Sequence, residues 1–316
     1  MKHIFIVNPQ AGGHDISQII AAQLKSVGAE AEVYVTQGPR DATRYVRERL
    51  AGEEMSTRGE GVRFYACGGD GTLNEVVSGV MHAIESLNSE LRTPNLIEVG
   101  CYPCGSGNDY VKNWPGADFL DLKALMEAPS QEVDVMRVAD RYCVNVMNYG
   151  FEAEVCRTVE RVRRWPLLGG HGSYVVGVVH CLLTKRHNPC RILVDGELWR
   201  EGDILLGSAA NGRYVGGGFM CAPRAEVGDG WLEAQCVDTL SVPRFLSMIG
   251  YYKKGEHLER PSMAEVVHYR RGRRVAFEAD REFNMVIDGE LLSGHRFEAE
   301  VLPKALRFIV PAPQNN

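Results

Sequence analysis

The sequence predicts a three-layer α/β domain over residues 1–133 and a β-sandwich over 134–302, with a final strand at about 303–316 packing back on the first domain. Three observations carry this. Strand-like and helix-like patterns alternate as far as Asp134, the βαβ rhythm of a parallel sheet. Glycine-rich turns directly follow strand patterns in that stretch, at Asn8–Gly13, Gly68–Thr72 and Gly105–Asp109. From Val133 onward short alternating segments dominate, as in an antiparallel sandwich.

Each element has its own signal. Ile4–Val7 is a continuous apolar run and reads as a buried strand. Asp15 to Val27 carries Ile16, Ile19, Ile20 and Leu24 at helical spacing, and Gly28 suits the C-terminal cap. Ala31–Thr36 is a second strand, Pro39 to Leu50 an amphipathic helix, and Val62–Cys67 a third strand. The helix expected behind it spans Leu73 to Leu87, and Ile97–Cys101 is a fourth strand. Beyond the change of period, strands are expected at Val133–Val138, Tyr142–Asn148, Cys190–Val194, Ile204–Ala210 and Trp231–Val237. Further strands are expected at Val266–Tyr269, Val275–Glu278, Asn284–Ile287 and Arg296–Val301. Helices are expected at Tyr174–Lys185 and Val242–Tyr252, and a last apolar strand at Ala305–Pro311. There is no internal repeat and no low-complexity linker.

Composition narrows the partners. The 316 residues are 45% hydrophobic and 24% charged, the balance of a soluble globular protein with room for two domains. A net charge of −6 gives no basic footprint, so nucleic acid is not expected. No apolar run reaches the ~18 residues of a membrane-spanning helix, and the start reads as a strand rather than a signal peptide. Nine cysteines at scattered spacing read as reduced thiols in a cytoplasm. Cys101 and Cys104 form a lone CxxC with no matching second pair, so a zinc site is not expected.

The chemistry concentrates at strand ends, where open parallel sheets collect ligands. In Gly68-Gly69-Asp70-Gly71-Thr72, glycines allow close backbone approach to a phosphate, and the following helix start offers N–H groups and a positive dipole end. A carboxylate there repels phosphate unless a divalent cation lies between them, so the turn reads as Mg-nucleotide binding. By itself it reads equally as a structural turn. The turns at Asn8-Pro9-Gln10-Ala11-Gly12-Gly13 and Gly105-Ser106-Gly107-Asn108-Asp109 tip the balance, the second by adding a carboxylate, Asp109.

At this point the chain resembles the diacylglycerol kinase catalytic-domain family, which includes bacterial lipid kinases, sphingosine kinases and ceramide kinases. The resemblance rests on Gly68–Glu75, the Asn-Pro-x-x-Gly turn at 8–12 and Gly105–Tyr110. It continues through Asn145–Glu154, Asn211–Gly218, Ala222–Ala225, Asp229–Leu232 and Asp288-Gly289-Glu290, in family order over essentially the whole chain.

The resemblance implies a lipid kinase that transfers the γ-phosphate of ATP to a lipid hydroxyl, on an N-terminal domain of the NAD kinase and phosphofructokinase kind. It implies ATP contacts from Asn8, Pro9, Gln10, Ala11, Gly12, Thr36, Gly69, Asp70, Gly71, Thr72, Leu73, Asn74, Glu75, Ser106 and Asn108. Asp70, Asp109 and Asp134 would hold catalytic Mg²⁺ through water, and Glu290 would accept the hydroxyl proton with Asp288 beside it. Whether Asp288, Glu290 or Asp70 is the acceptor stays open. A second, structural Mg²⁺ is implied at Glu226, Asp229 and Trp231, through main-chain carbonyls at 226 and 231 and the Asp229 carboxylate. Ala11 stands where the family often has Ser or Thr, Ser106 where Thr is commoner, and Glu152 where Asp is usual. The rival readings are an NAD kinase or phosphofructokinase relative and a non-catalytic nucleotide- or lipid-binding protein.

The reduced thiols read as cytoplasmic, a lipid acceptor implies peripheral membrane contact, and a homodimer stays open. Arg157, Arg161, Arg163 and Arg164 before Trp165-Pro166-Leu167-Leu168, and the basic run Arg270–Arg274, suit an anionic lipid surface. Solvated surface is the stronger reading of both.

Overall fold

The computed structural model describes residues 1–13, 15–52, 61–86, 97–162, 170–184 and 186–313, with only the backbone described at 160–162 and 170–175. The chain forms two compact units, Met1–Val135 with Leu302–Asn316, and Met136–Val301.

The first unit is built on β1 (Lys2–Val7), β2 (Glu32–Val35), β3 (Val62–Gly68) and β4 (Ile97–Pro103), all parallel in the order β2-β1-β3-β4. A long strand, here numbered β13 (Glu290–Ile309), ends in this unit and lies parallel to β4 through Arg307 and Phe308. Helices α1 (Ser17–Ser26), α2 (Asp41–Ala51), α3 (Asp70–Ser86) and α4 (Leu122–Glu127) complete the unit. Gly28, at φ +64°, supplies the left-handed residue that ends α1. Asp121 caps α4 by accepting the Ala124 N–H at 3.0 Å.

Helix α3 starts earlier than its apolar spacing predicts. Leu73 N–H already donates to Gly69 C=O at 3.1 Å, so Asp70, Gly71 and Thr72 form its first turn. Their N–H groups are those a helix leaves without an internal partner. Strand interiors are fully buried, including Ile4, Phe5, Ile6, Phe64 and Tyr65.

The second unit is antiparallel. It contains β6 (Arg141–Cys143), β7 (Val146–Gly150), β8 (Asn188–Val194), β9 (Glu197–Ala210), β10 (Leu232–Asp238), β11 (Val267–Gly272) and β12 (Arg274–Ile287), with the first part of β13. Strand β5 (Ser130–Val138) enters from the first unit and pairs with β6. The strands run β11-β10-β9-β7-β12-β13, and β8 pairs with both β9 and β12. One long strand, β12, replaces the two expected over its range. Its register shifts between Glu278 and Phe283, and that irregularity interrupts the alternation in the sequence.

Two apolar cores fill this unit. One gathers Met147, Tyr149, Ile192, Val275, Phe277, Met285 and Ala299 between the strands. The other packs Phe151, Val155, Leu182, Phe245 and Met248 beneath α5 (Phe151–Val162), α6 (Gly170–Thr184) and α7 (Val242–Lys253). Helix α5 has no counterpart in the expected elements. Its charged residues read as surface from the sequence, and its apolar residues Phe151 and Val155 pack into the second core. No helix among the described residues is long and apolar enough to cross a membrane.

Phe277 is fully buried, with its ring against the Gly207 backbone, where an added Cβ would lie 2.6 Å from Cε1. Phe277→Ala is expected to cost about 3–5 kcal/mol, read as a lower urea midpoint at an unchanged slope.

Candidate active site

In the first unit the predicted turns come together at the C-terminal ends of β1, β3 and β4. Asn8 Nδ2 donates to Thr72 Oγ1 at 3.0 Å, and Cys104 N–H donates to Gly68 C=O at 2.9 Å. The approach depends on absent side chains. A Cβ on Gly105 would fall 2.3 Å from Gly69 Cα, and one on Gly12, at φ +63°, would fall 2.3 Å from Cys104 O. Asn8 Oδ1 accepts the Gln10 N–H at 3.0 Å and holds Pro9 and Ala11 in a tight turn. Thr36 is buried beside it through Thr36 N–H to Val7 C=O at 2.9 Å. Ser106 and Gly71 are exposed at the rim, whereas Asn108 closes its own loop onto Gly105 through both amide atoms.

Asp70 and Asp109 meet in this cluster. Asp70 Oδ1 accepts the Asp109 and Tyr110 N–H groups at 2.7 and 3.0 Å. Its Oδ2 lies 2.9 Å, and Asp109 Oδ2 3.4 Å, from the point where a Gly107 Cβ would sit. Two carboxylate oxygens thus converge on a cradle that only glycine leaves open. Burial pushes the Asp70 carboxyl above the usual aspartate range, against the pull of its two N–H bonds. Lys112 Nζ bonds Asp109 Oδ1 at 2.5 Å and Gly107 C=O at 2.9 Å. Tyr110 and Trp114, packed on Phe308 at 5.1 and 5.0 Å, fix the loop that carries Asp109.

Some predicted residues have other structural roles. Asp134, fully buried, bonds the Lys304 N–H at 2.7 Å. Among the described residues no three His, Cys, Asp or Glu side chains gather closely enough to ligate a metal directly. Glu75 Oε1 and Oε2 accept the Arg40 and Ala42 N–H groups at 2.9 and 3.2 Å, which caps α2. Leu73 and Asn74 are buried on α3.

In the second unit Asp288 and Glu290 divide in role. Asp288 Oδ2 accepts the Val144 N–H at 2.6 Å, and Oδ1 accepts the Asn145 and Val146 N–H groups at 3.1 and 3.0 Å. Cys143 Sγ adds a contact at 3.1 Å. This buried carboxylate anchors a turn whose residues Asp288 and Gly289 have φ of +45° and +91°. Enclosed by donors, it is poorly placed to accept a substrate proton. Glu290 opens β13, partly exposed, and Arg141 Nη1 lies 2.6 Å from its Oε2.

The implied structural cation does not fit its loop. The Asp229 carboxylate is held by Arg271 and by the Trp231 N–H at 3.0 Å, and Glu226 C=O already accepts the Gly228 N–H at 2.8 Å. Arg271 Nε also lies 3.0 Å from Oε1 of Glu233, a side chain only 1% exposed. Arg271 thus places a guanidinium beside the carboxylate to which the resemblance assigns Mg²⁺. The basic run at Arg270–Arg274 is also less free than its composition suggests. Arg270 pairs with Glu197 at 2.8 Å, and Arg271 and Arg273 lie 5.6 and 5.2 Å from the Trp231 ring centre. Arg157 pairs with Glu154 at 2.8 Å, while residues 163–168 of the other expected membrane patch lie outside the described residues.

No motif singles out Lys112 or Arg141. Lys112 was accessible as a cation three residues after Asp109, whereas Arg141 stands 149 positions from its partner.

Residues 2–138 match the diacylglycerol kinase catalytic domain, and residues 145–310 match the YegS C-terminal NAD kinase beta sandwich-like domain. The chain belongs to the diacylglycerol kinase catalytic-domain family and, within it, to the YegS-like probable lipid kinases. It is 30% identical over 293 residues to a "Probable lipid kinase YegS-like" of Chromohalobacter salexigens, covering 92% of this chain and 86% of that one. A relative with the same description in Citrobacter koseri is 28% identical over 316 residues, covering 98% and 95%. A crystal structure of a diacylglycerol kinase from Bacillus anthracis shares the fold with a TM-score of 0.67 at 20% identity, over 99% of this chain and 98% of that one. Yeast NADH kinase shares it more distantly, with a TM-score of 0.50 at 9% identity, over 99% and 84%.

Burial raises the Glu233 carboxyl from 4.5 to about 7, with Arg271 opposing the shift. The folded chain therefore holds this proton more tightly than the unfolded one. Its ionisation removes stability as pH rises through that interval, and the cost is complete above it. Glu233→Gln removes the cost, so its stability relative to the parent chain is expected to rise between pH 5 and pH 8, by on the order of 1–3 kcal/mol. Urea unfolding at both pH values measures this, and a pH-independent difference would contradict it.

Proposed function

We propose that the chain transfers the γ-phosphate of ATP to the hydroxyl of a lipid, diacylglycerol-like or sphingoid, with Mg²⁺. The convergence of Asp70 Oδ2 and Asp109 Oδ2 on the Gly107 cradle carries this reading, beside the first turn of α3. The donor half lies on the first unit. N–H groups of Gly69–Thr72, with the Ser106 hydroxyl, are the phosphate donors, and the 8–12 turn packs beside them. Asp70 and Asp109 would hold Mg²⁺, which uses one or two carboxylates, keeps waters and neutralises phosphate charge when bound.

The acceptor half belongs to the second unit. Glu290 accepts the proton of the lipid hydroxyl as its oxygen bonds to phosphorus and the bond to the ADP oxygen breaks. Asp288 holds the turn that presents Glu290. The protein works from the cytoplasm and meets the bilayer peripherally. Val176, Val179 and Leu183, exposed along α6, support that contact.

Purified protein with labelled ATP, Mg²⁺ and a panel of diacylglycerols, sphingoid bases and NAD tests the reading. Labelled lipid is expected, and labelled NADP in its place would overturn the acceptor assignment. Glu290→Gln is expected to lower kcat at least about 100-fold with ATP affinity within about twofold, and undiminished turnover would remove its role as base. Gly107→Ala fills the cradle with a methyl group, so Mn²⁺ binding, followed by electron paramagnetic resonance, is expected to weaken about tenfold or more while the thermal midpoint holds. Unchanged Mn²⁺ affinity would place the cation elsewhere.

A further inference from the structure

One short segment of the second unit grips the Asp288–Glu290 turn at two points. At its start, Arg141 Nη1 bonds Glu290 Oε2 at 2.6 Å. At its end, the N–H groups of Val144, Asn145 and Val146 surround Asp288, and Asp288 N–H returns to Val146 C=O at 3.2 Å. Arg141 is itself set by β6, where it pairs with Val138 of β5. The guanidinium is thus carried by paired strand backbone, and the carboxylate it holds follows a turn locked by its neighbour.

We propose that Arg141 is a positioning residue for Glu290, an inference that rests on the reading of Glu290 as the proton acceptor. A glutamate after a turn has three side-chain torsions to fix, and a general base works only within hydrogen-bond reach of the proton it takes. Arg141 occupies Oε2 and leaves Oε1 without a bonded partner among the described residues. Oε1 is then the oxygen that receives the hydroxyl proton, while Arg141 keeps its own protons throughout. A pair that served only stability would leave turnover of the folded enzyme unchanged. A pair that aims the base changes kcat and spares nucleotide binding, because a small misplacement of a catalytic group costs up to about 100-fold.

Steady-state kinetics on Arg141→Met, Arg141→Lys, Glu290→Gln and the Arg141→Met/Glu290→Gln double variant test this, with thermal midpoints measured alongside. Arg141→Met is expected to lower kcat about 10- to 100-fold with KM for ATP within about twofold. Arg141→Lys is expected to recover part of the loss, since an ammonium still pairs with Oε2. The double variant is expected to be no slower than Glu290→Gln alone, because the arginine acts through the carboxylate. Wild-type kcat in Arg141→Met beside an inactive Glu290→Gln would overturn the inference and leave Glu290 as the base. Losses that multiply in the double variant would also overturn it. An active Glu290→Gln would overturn the reading of Glu290 itself. If Arg141→Met does not fold, Arg141→Lys and Arg141→Gln carry the same comparison, and equal rates in both at or near the parent kcat count against it.

Discussion

Carboxylates that accept backbone N–H groups hold the loops of this chain in place, and the proposed functional residues of each unit depend on them. Asp70 binds the N–H groups of Asp109 and Tyr110, and Asp288 binds those of Val144, Asn145 and Val146. Asp134 takes the N–H of Lys304, and Glu75 takes those of Arg40 and Ala42. Loop N–H groups have no strand or helix partner, and leaving one buried and unpaired costs as much as a lost hydrogen bond. An ionised carboxylate is the strongest acceptor available to a side chain and can serve two or three such groups together.

This use separates the acids of the motifs into two kinds. Asp288 and Glu75 are enclosed by donors and shape the backbone. Asp70 does both, since Oδ1 holds the Asp109 loop and Oδ2 faces the Gly107 cradle with Asp109 Oδ2. Glu290 is left with one oxygen paired to Arg141. In Asp288-Gly289-Glu290, one acid sets the turn and the other, two residues on, is held by a single cation.

The cations complete the same scheme. Lys112 lies on Asp109, Arg141 on Glu290, and Arg271 between Asp229 and the buried Glu233. Each neutralises or orients a carboxylate that would otherwise repel phosphate or stand charged in the interior. At Asp229 the nearest cation is the Arg271 guanidinium, which also lies 3.0 Å from Glu233 Oε1. Where the acid is buried, as at Glu233, removing the cation leaves a charge uncompensated, which costs far more than a surface ion pair contributes.

The sequence by itself determined the parallel first domain, the change of period near Asp134, the turns at strand ends and the family motifs. These are local signals, carried by apolar spacing, glycine placement and residues within a few positions of one another. Only the tertiary structure decided which acids are scaffolding, that β12 is one irregular strand, that α5 packs on a second core, and which cation meets which carboxylate. Arg141 and Glu290 are 149 positions apart, and Arg271 and Asp229 are 42 apart. Nothing in either neighbourhood records the other, because strand register and turn geometry bring such partners together, and these are set by the packing of the whole unit rather than by any short stretch of chain.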